Sequence, residues 1–372
     1  MIEIREVTTK AQMKDFVMFS FELYKDNPYW VPPLIKEELE SFDKTKNPAF
    51  LSADAHFYLA YKDNKIVGKV AAIINWDEVN KLGKKKVRFG WFDVIDDINV
   101  TQALLEKVER FGREHNMEHM EGPIGFSNLD KVGVLTEGFE EQGLMITWYN
   151  FPYYKTHFEL LGLAEEKKYI ESRFPFKNVD AVTFSKAAEL IKKRYELTPL
   201  NFTNSKDIMP FVDKMFDLFN ESYAKLQSFV AINEIQIDYF KKKYISFINP
   251  EYIKFILDKK GNMIAFSIVM PDFSDALIKA KGKLFPFGFY HLLKARKNSK
   301  KTVFYLIGIV PEYQSKGVTA IVFDEYVKTF NKFGIETCIR TPELEENTAI
   351  QNLWKHFNPK VYKKRSTYSK KI

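Results

Sequence analysis

The chain has 372 residues, 45% of them hydrophobic and 16% aromatic, and its 56 Lys and Arg outweigh 49 Asp and Glu to leave a net charge of +7. This composition excludes intrinsic disorder and collagen-like repeats, and the length predicts two domains or one large one. A single cysteine, Cys338, excludes an internal disulfide and a Cys-rich zinc module. Six histidines without HxH or HExxH pairing leave little for a metal site, so no metal is expected. No run approaches the roughly 18 apolar residues of a membrane span. The charged start, MIEIREVTTK, replaces an export signal, so the expected location is the cytoplasm.

In chain order, Ile2 to Val7 predicts a strand and Lys10 to Lys25 an amphipathic helix. Phe57 to Tyr61 and Lys65 to Ile74 predict a hairpin turning at Asp63-Asn64, and Val87 to Ile95 a further strand. Thr101 to His115 has helical spacing, Met117 to Ile124 reads as extended, and Gly143 to Leu161 as mostly helical. A boundary is expected between Phe174 and Tyr195, where a polar run follows Pro175 and Phe176. The plan then repeats, with a strand in Tyr195 to Phe202, a helix from Ile208 to Tyr223, and a hairpin from Tyr252 to Met270 turning at Lys260-Gly261-Asn262. Thr302 to Val310 is a strand, Val318 to Phe333 a helix stopped by Gly334, Glu336 to Arg340 a strand and Asn347 to Phe357 a helix. The connection after the hairpin has 12 residues (75–86) in the first copy and 31 (271–301) in the second, so one insertion accounts for most of the difference between them. The expected domains are 1–175 and 190–372.

Positive charge is concentrated in two segments. Seven basic and no acidic residues lie between Lys355 and Ile372, and eight basic and no acidic ones between Ala276 and Lys301. The pattern fits anion contacts at those segments, or a soluble tail and a solvated loop, rather than a general coating for nucleic acid. The second segment interleaves its lysines with Phe285, Phe287, Phe289 and Tyr290. It fits peripheral membrane contact through 276–301 or a cover for a long acyl chain, and also a core-packed helix pair with lysines outward, which is the arrangement we expect.

The sharpest local signal is the strand Phe304 to Val310 leading through Gln314-Ser315-Lys316-Gly317-Val318-Thr319 into a helix. Backbone N–H groups converging at a helix start favour an anion, Gly317 permits close approach, and Ser315, Lys316 and Thr319 can add contacts. It is neither a Walker loop nor a Rossmann fingerprint, and taken alone one glycine before a helix is more often ordinary capping. The order of elements around it resembles the GNAT superfamily of acyl-CoA N-acyltransferases. Gln314 to Thr319 is similar to that superfamily's pyrophosphate-binding Q/R-x-x-G-x-G/A turn, with threonine in the last place. Asn347, Ala349, Ile350, Leu353 and Trp354 are similar to its later helix, N-x-x-A-x-x-L-Y. The resemblance covers the chain well from Tyr195 onward and the first half loosely. It implies a mixed α/β protein of two tandem GNAT-like domains, each a mostly antiparallel twisted sheet flanked by helices.

At the corresponding turn the first copy reads Asp96-Asp97-Ile98-Asn99-Val100, with no glycine and two carboxylates that repel a diphosphate. We therefore expect it to be the substrate side. Its loops, with Asn128, Tyr153 and Tyr154, suit a substrate-lining surface, or are turn punctuation with half-buried tyrosines. These loop sequences also resemble a bacterial subgroup of GNAT-like proteins.

The resemblance implies acetyl-CoA or a longer acyl-CoA as co-substrate, held by Gln314, Ser315, Lys316, Gly317, Val318, Thr319 and Asn347. Pantetheine would pair with backbone near Ile309 and Val310, where an N–H polarises the thioester carbonyl. The superfamily's acid tyrosine falls on Trp354 in the second copy and near Phe158 in the first, and neither donates a proton. Tyr362 and Tyr368 are substitutes. Asp93 is the candidate base for the acceptor amine, or else a structural carboxylate. The expected activity is acyl transfer to an amine on a small molecule or peptide. Two alternatives stay open: a catalytically degenerate tandem ligand-binding protein, and an aminoacyl-tRNA-dependent transferase whose basic tail holds RNA.

Overall fold

The computed structural model describes residues 1–127, 129–224, 229–245 and 248–372. Five strands of the first lobe lie side by side: β1 (Ile2–Glu6), β2 (Ala53–Lys62), β3 (Lys65–Asn75), β4 (Lys86–Val94) and β5 (His119–Gly122). The first four are antiparallel and β4–β5 is parallel. Short β6 (Val134–Glu137) follows, then the long β7 (Ala164–Pro175). The second lobe repeats the plan with β8 (Thr198–Leu200), β9 (Ile253–Leu257), β10 (Met263–Pro271) and β11 (Lys301–Ile309) antiparallel, and β12 (Thr337–Arg340) parallel to β11. A two-residue β13 (Glu343–Leu344) and the final β14 (Lys360–Lys371) complete it.

The lobes exchange their last strands. β14, from the second lobe, pairs with β5 of the first, β7 pairs with β12 of the second, and β7 and β14 run antiparallel to each other between them. One sheet therefore crosses the whole molecule in the order β1-β2-β3-β4-β5-β14-β7-β12-β11-β10-β9-β8. This corrects the reading of 355–372 as a soluble tail. Lys363 and Arg365 are buried and share the buried carboxylate of Glu171 on β7, at 3.0 and 2.5 Å. Lys364 and Lys370 are paired with Glu137 and Glu109.

Local chemistry explains most of the other elements. Asp63 and Asn64 both adopt positive φ, 51° and 59°, as a tight hairpin turn between twisted strands demands. Ile98–Glu114 is a helix because Val100, Leu104, Leu105, Val108 and Phe111 form one buried stripe and Asp97 caps its start. Gly334, at φ 62°, ends the helix Thr319–Phe333. One expectation needs correction. Only Tyr153–Leu160 of the segment 143–161 is helical, because Pro152 opens that helix and Asn150 is spent bonding Leu135 across to β6. The segment 174–195, where a boundary is expected, ends β7 and then forms the helix Ala181–Tyr195, with Phe184 stacked on Phe357 and tilted against Phe323. The insertion forms two helices, Ser274–Ala280 and Gly288–Asn298, whose Ala276, Leu277, Ala280 and Leu292 are buried. Its lysines point outward as expected, but so do its aromatic rings.

Removing Glu171 (Glu171→Ala) strands two buried cations and should destabilise the fold by about 3–5 kcal/mol. Glu137→Ala, which frees only the exposed Lys364, should cost about 1 kcal/mol or less. Urea midpoints measure both. Glu121 on β5 gives a pH test. Burial opposes its charge, but Lys86 and Lys167 hold its carboxyl down to about 2, against an ordinary 4.5. Its stabilisation is thus complete above about pH 4.5 and lost as pH falls towards 2. Glu121→Gln should flatten that acid limb.

Candidate functional site

Each lobe opens where its parallel pair separates. β11 and β12 are paired only from Lys301/Thr337 to Phe304/Arg340, and β4 and β5 only from Lys86/His119 to Arg88/Glu121. Beyond those points β11 and β4 hold their antiparallel neighbours on one side, and on the other β4 keeps only a bond from Ile124 N–H to the Phe89 carbonyl at 2.8 Å. Val310 donates its N–H to Ile264 of β10, and Ile95 donates to Val67 of β3, both at 3.0 Å. Backbone groups alternate sides along such a ladder. Ile307 and Ile309 in the second lobe, and Val94 in the first, therefore turn their N–H and C=O towards the opening. Of the pair Ile309 and Val310, only Ile309 faces it.

The two openings differ in what fills them. In the first lobe the Val94 N–H donates to Tyr154 Oη (2.9 Å) and Tyr153 Oη donates to the Val94 carbonyl (2.6 Å). Tyr154 is fully buried, so it closes this opening rather than lining an exposed substrate surface. Asp93 accepts from Tyr24 Oη and Ser20 Oγ, each at 2.7 Å, and Lys69 Nζ stands 3.3 Å away. Burial, and then the Asp93 charge, push the Tyr24 and Tyr154 hydroxyls well above their ordinary value. With both oxygens engaged by donors, Asp93 anchors the tyrosine plug and is not placed as a base. Next along the chain, Asp97 caps its own helix by accepting from Asn99 N–H and pairs with Lys62, and Asp96 lies 3.2 Å from His157 Nε2. The chain's own carboxylates thus occupy the place of an anion.

In the second lobe the corresponding turn is open. Gln314 Nε2 donates to the Ile309 carbonyl at 3.1 Å. Ser315 and Gly317 are exposed, Val318 is buried, and Lys316 Nζ lies 4.2 Å over the Tyr313 ring. Among the described residues, the N–H groups of Ser315, Gly317, Val318 and Thr319 have no partner within the chain. Gly317 takes φ +74°, a conformation that favours glycine; a Cβ there would meet only the movable end of Ile191, at 2.7 Å. Asn347 serves as the cap of helix Thr348–Trp354, accepting from Ile350 N–H.

The two tyrosines expected as proton donors, Tyr362 and Tyr368, are both buried at the hydroxyl. Tyr362 packs on Leu144, Val303 and Ile339, over the paired base of β11 and β12, and its buried hydroxyl has no partner among the described residues. The Tyr368 hydroxyl is likewise buried without a partner. At the open edge itself stands Tyr223, from the helix Val212–Tyr223, which donates to the Ile307 carbonyl at 3.0 Å. Burial and the nearby Glu343 charge push it up to about 12. On the same strand Tyr305 donates to the carbonyl of Leu129, in a first-lobe loop that reaches across to β11. Burial raises the Tyr305 hydroxyl, and the charges of Asp130 and Tyr223 raise it further.

Asp130 takes both of its hydrogen bonds from Ser127, through Oδ2, and desolvation raises its carboxyl above the ordinary range. It lines a small cleft between the lobes with Trp91, Phe126, Tyr239 and Lys243. Gly125 is required there because a Cβ would fall 2.3 Å from that of Asp130. Asn128 lies outside the described residues. Neither Tyr223 nor Asp130 carries a motif; the only sequence signal was a lone carboxylate in a glycine-rich loop.

No protein-family model matches the chain. Protein YghO of Escherichia coli (strain K12) is 26% identical over 379 aligned positions, covering 99% of this chain and 95% of that protein. A bacterial ceramide synthase of Caulobacter vibrioides is 23% identical over 322 positions, covering 84% and 82%. Among solved structures, a tandem GNAT protein from the clavulanic acid biosynthesis pathway superposes with a TM-score of 0.59 at 9% identity, covering 100% of this chain and 98% of that one. A GCN5-related N-acetyltransferase from Sphaerobacter thermophilus gives 0.53 at 8% identity, covering 100% and 95%. The fold is that of tandem GNAT proteins.

Tyr154→Phe should leave the buried Val94 N–H without an acceptor and lower stability by about 1–3 kcal/mol in urea unfolding.

Proposed function

We propose that this tandem GNAT chain is an N-acyltransferase that passes an acetyl or longer acyl group from acyl-CoA to an amine, with the donor in the second lobe and the acceptor entering between the lobes. The observation that carries this reading is the contrast at the two separated strands. Val94 and its following turn are closed by Tyr153, Tyr154 and Asp97, whereas Ile309 faces an opening followed by four unpaired N–H groups. Those donors, with the Lys316 charge, suit a diphosphate. The C. vibrioides relative's name supports the reaction class, since a ceramide is an amide of a long-chain amino alcohol.

The chain's own groups then divide the work. The Ile309 N–H is directed to polarise the thioester carbonyl, as backbone donors do for developing oxyanions. Asp130, kept basic by desolvation, takes the proton that the amine gives up as the C–N bond forms. Tyr223 supplies a proton to the departing thiolate as the C–S bond breaks; its high pKa keeps it protonated until then. Trp354 cannot fill that role, because an indole N–H is too weak an acid to give up its proton; here it donates to Glu343 at 3.0 Å.

Calorimetry with acetyl-CoA and a longer acyl-CoA tests the donor site. Wild type should bind, and Ser315→Glu, which places a negative charge on an exposed and unbonded position, should not; equal affinities would remove the site from this turn. Asp130→Asn and Tyr223→Phe should each lower kcat by about 10²-fold or more without weakening acyl-CoA binding. Because Asp130 is raised, the rate should climb as pH rises through its folded value, and that limb should vanish in Asp130→Asn. Binding without turnover on any amine would make the chain a ligand-binding module instead.

A further inference from the structure

The insertion in the second lobe ends in a cluster of rings that no other part of the molecule covers. Phe285 is 77% exposed, Phe287 71%, Tyr290 56%, Leu293 51% and Phe289 44%. Phe285 and Phe289 lean on each other with ring centres 5.7 Å apart. Around them Lys279, Lys281, Lys283, Lys294 and Lys297 are exposed, and among the described residues none of these five is paired with a carboxylate. No Asp or Glu occurs from 276 to 301. The base of the structure is held in place: Ile35 N–H donates to the Gly282 carbonyl at 2.9 Å, and Leu292 and Leu277 are buried in the second-lobe core. The rings are therefore presented outward on a fixed support.

We infer that this tip is a docking surface for an anionic lipid bilayer, into whose headgroup region Phe285, Phe287, Phe289, Tyr290 and Leu293 insert while the surrounding lysines meet the lipid phosphates. Apolar rings interleaved with unpaired cations are what an interfacial anchor combines. A second copy of the chain would bring the same unpaired positive charge against it. A protein interface core is depleted in lysine, whereas an anionic surface matches every charge in the segment. Among the described residues no helix is long and apolar enough to cross a membrane, so the contact is peripheral. It does not depend on the reaction proposed above.

Co-sedimentation of the full chain with vesicles tests it, using phosphatidylcholine alone and phosphatidylcholine mixed with phosphatidylglycerol. The wild type should bind the mixed vesicles, only weakly bind the neutral ones, and be released by salt. Each basic residue near such a surface is worth about fivefold in partitioning, so Lys281→Glu/Lys283→Glu/Lys294→Glu should reduce binding by more than about tenfold. Phe285→Ser/Phe287→Ser should also abolish retention while leaving the thermal midpoint and acyl-CoA affinity unchanged, since both rings are exposed. Equal binding to both vesicle types, or variants that bind like wild type, would overturn the inference. So would a wild-type dimer that the Phe285→Ser/Phe287→Ser change dissolves with no vesicle binding, because the occupant would then be a second copy.

Discussion

The molecule depends on the antiparallel pairing of β7 and β14. Each strand leaves its own lobe to pair with the other lobe's parallel strand, so neither sheet is complete alone. At the crossing, one carboxylate, Glu171, neutralises Lys363 and Arg365 where no water reaches them. Such a triad is weak evidence of net stability against an apolar alternative, but it strongly penalises any other register, because a shifted strand would bury a charge without its partner. Strand exchange therefore fixes how the two openings stand relative to each other.

That relation makes the difference between the lobes chemically useful. Both separate at the same place in the plan, after four antiparallel strands and a parallel one. The first spends its open backbone on its own tyrosines and its helix start on its own aspartates. The second commits only the Ile307 and Ile309 carbonyls, to Tyr223 and Gln314, and leaves the N–H groups of its turn unspent; a loop from the first lobe reaches it where Leu129 accepts from Tyr305 of β11.

Several sequence expectations were met for local reasons. The Asp63-Asn64 turn, the helix stop at Gly334 and the apolar stripe beginning at Val100 need only neighbours within a few residues. The carboxylates at Asp96 and Asp97 read in the sequence as repelling a diphosphate, and in the fold Asp97 also caps its own helix by accepting from Asn99 N–H. Nothing local marks the hydroxyls of Tyr362 and Tyr368 as buried, and Asp93 meets Ser20, Tyr24, Tyr154 and Lys69 only through the fold. Tyr223 was read only as the end of an amphipathic helix.

The sequence by itself determined the two-fold repetition, the open turn at Gly317 and the basic, ring-rich insertion, since each follows from residue type at short range. Only the tertiary structure decided that the last twelve-residue strand lies at the centre of the sheet, that Tyr154 seals one opening while Tyr223 and Asp130 approach the other, and that Phe285 and Phe287 remain uncovered. Those outcomes depend on which groups meet across 60 residues or more. Pairing between charges and edges so distant is settled by the geometry of the whole sheet, to which no local pattern responds.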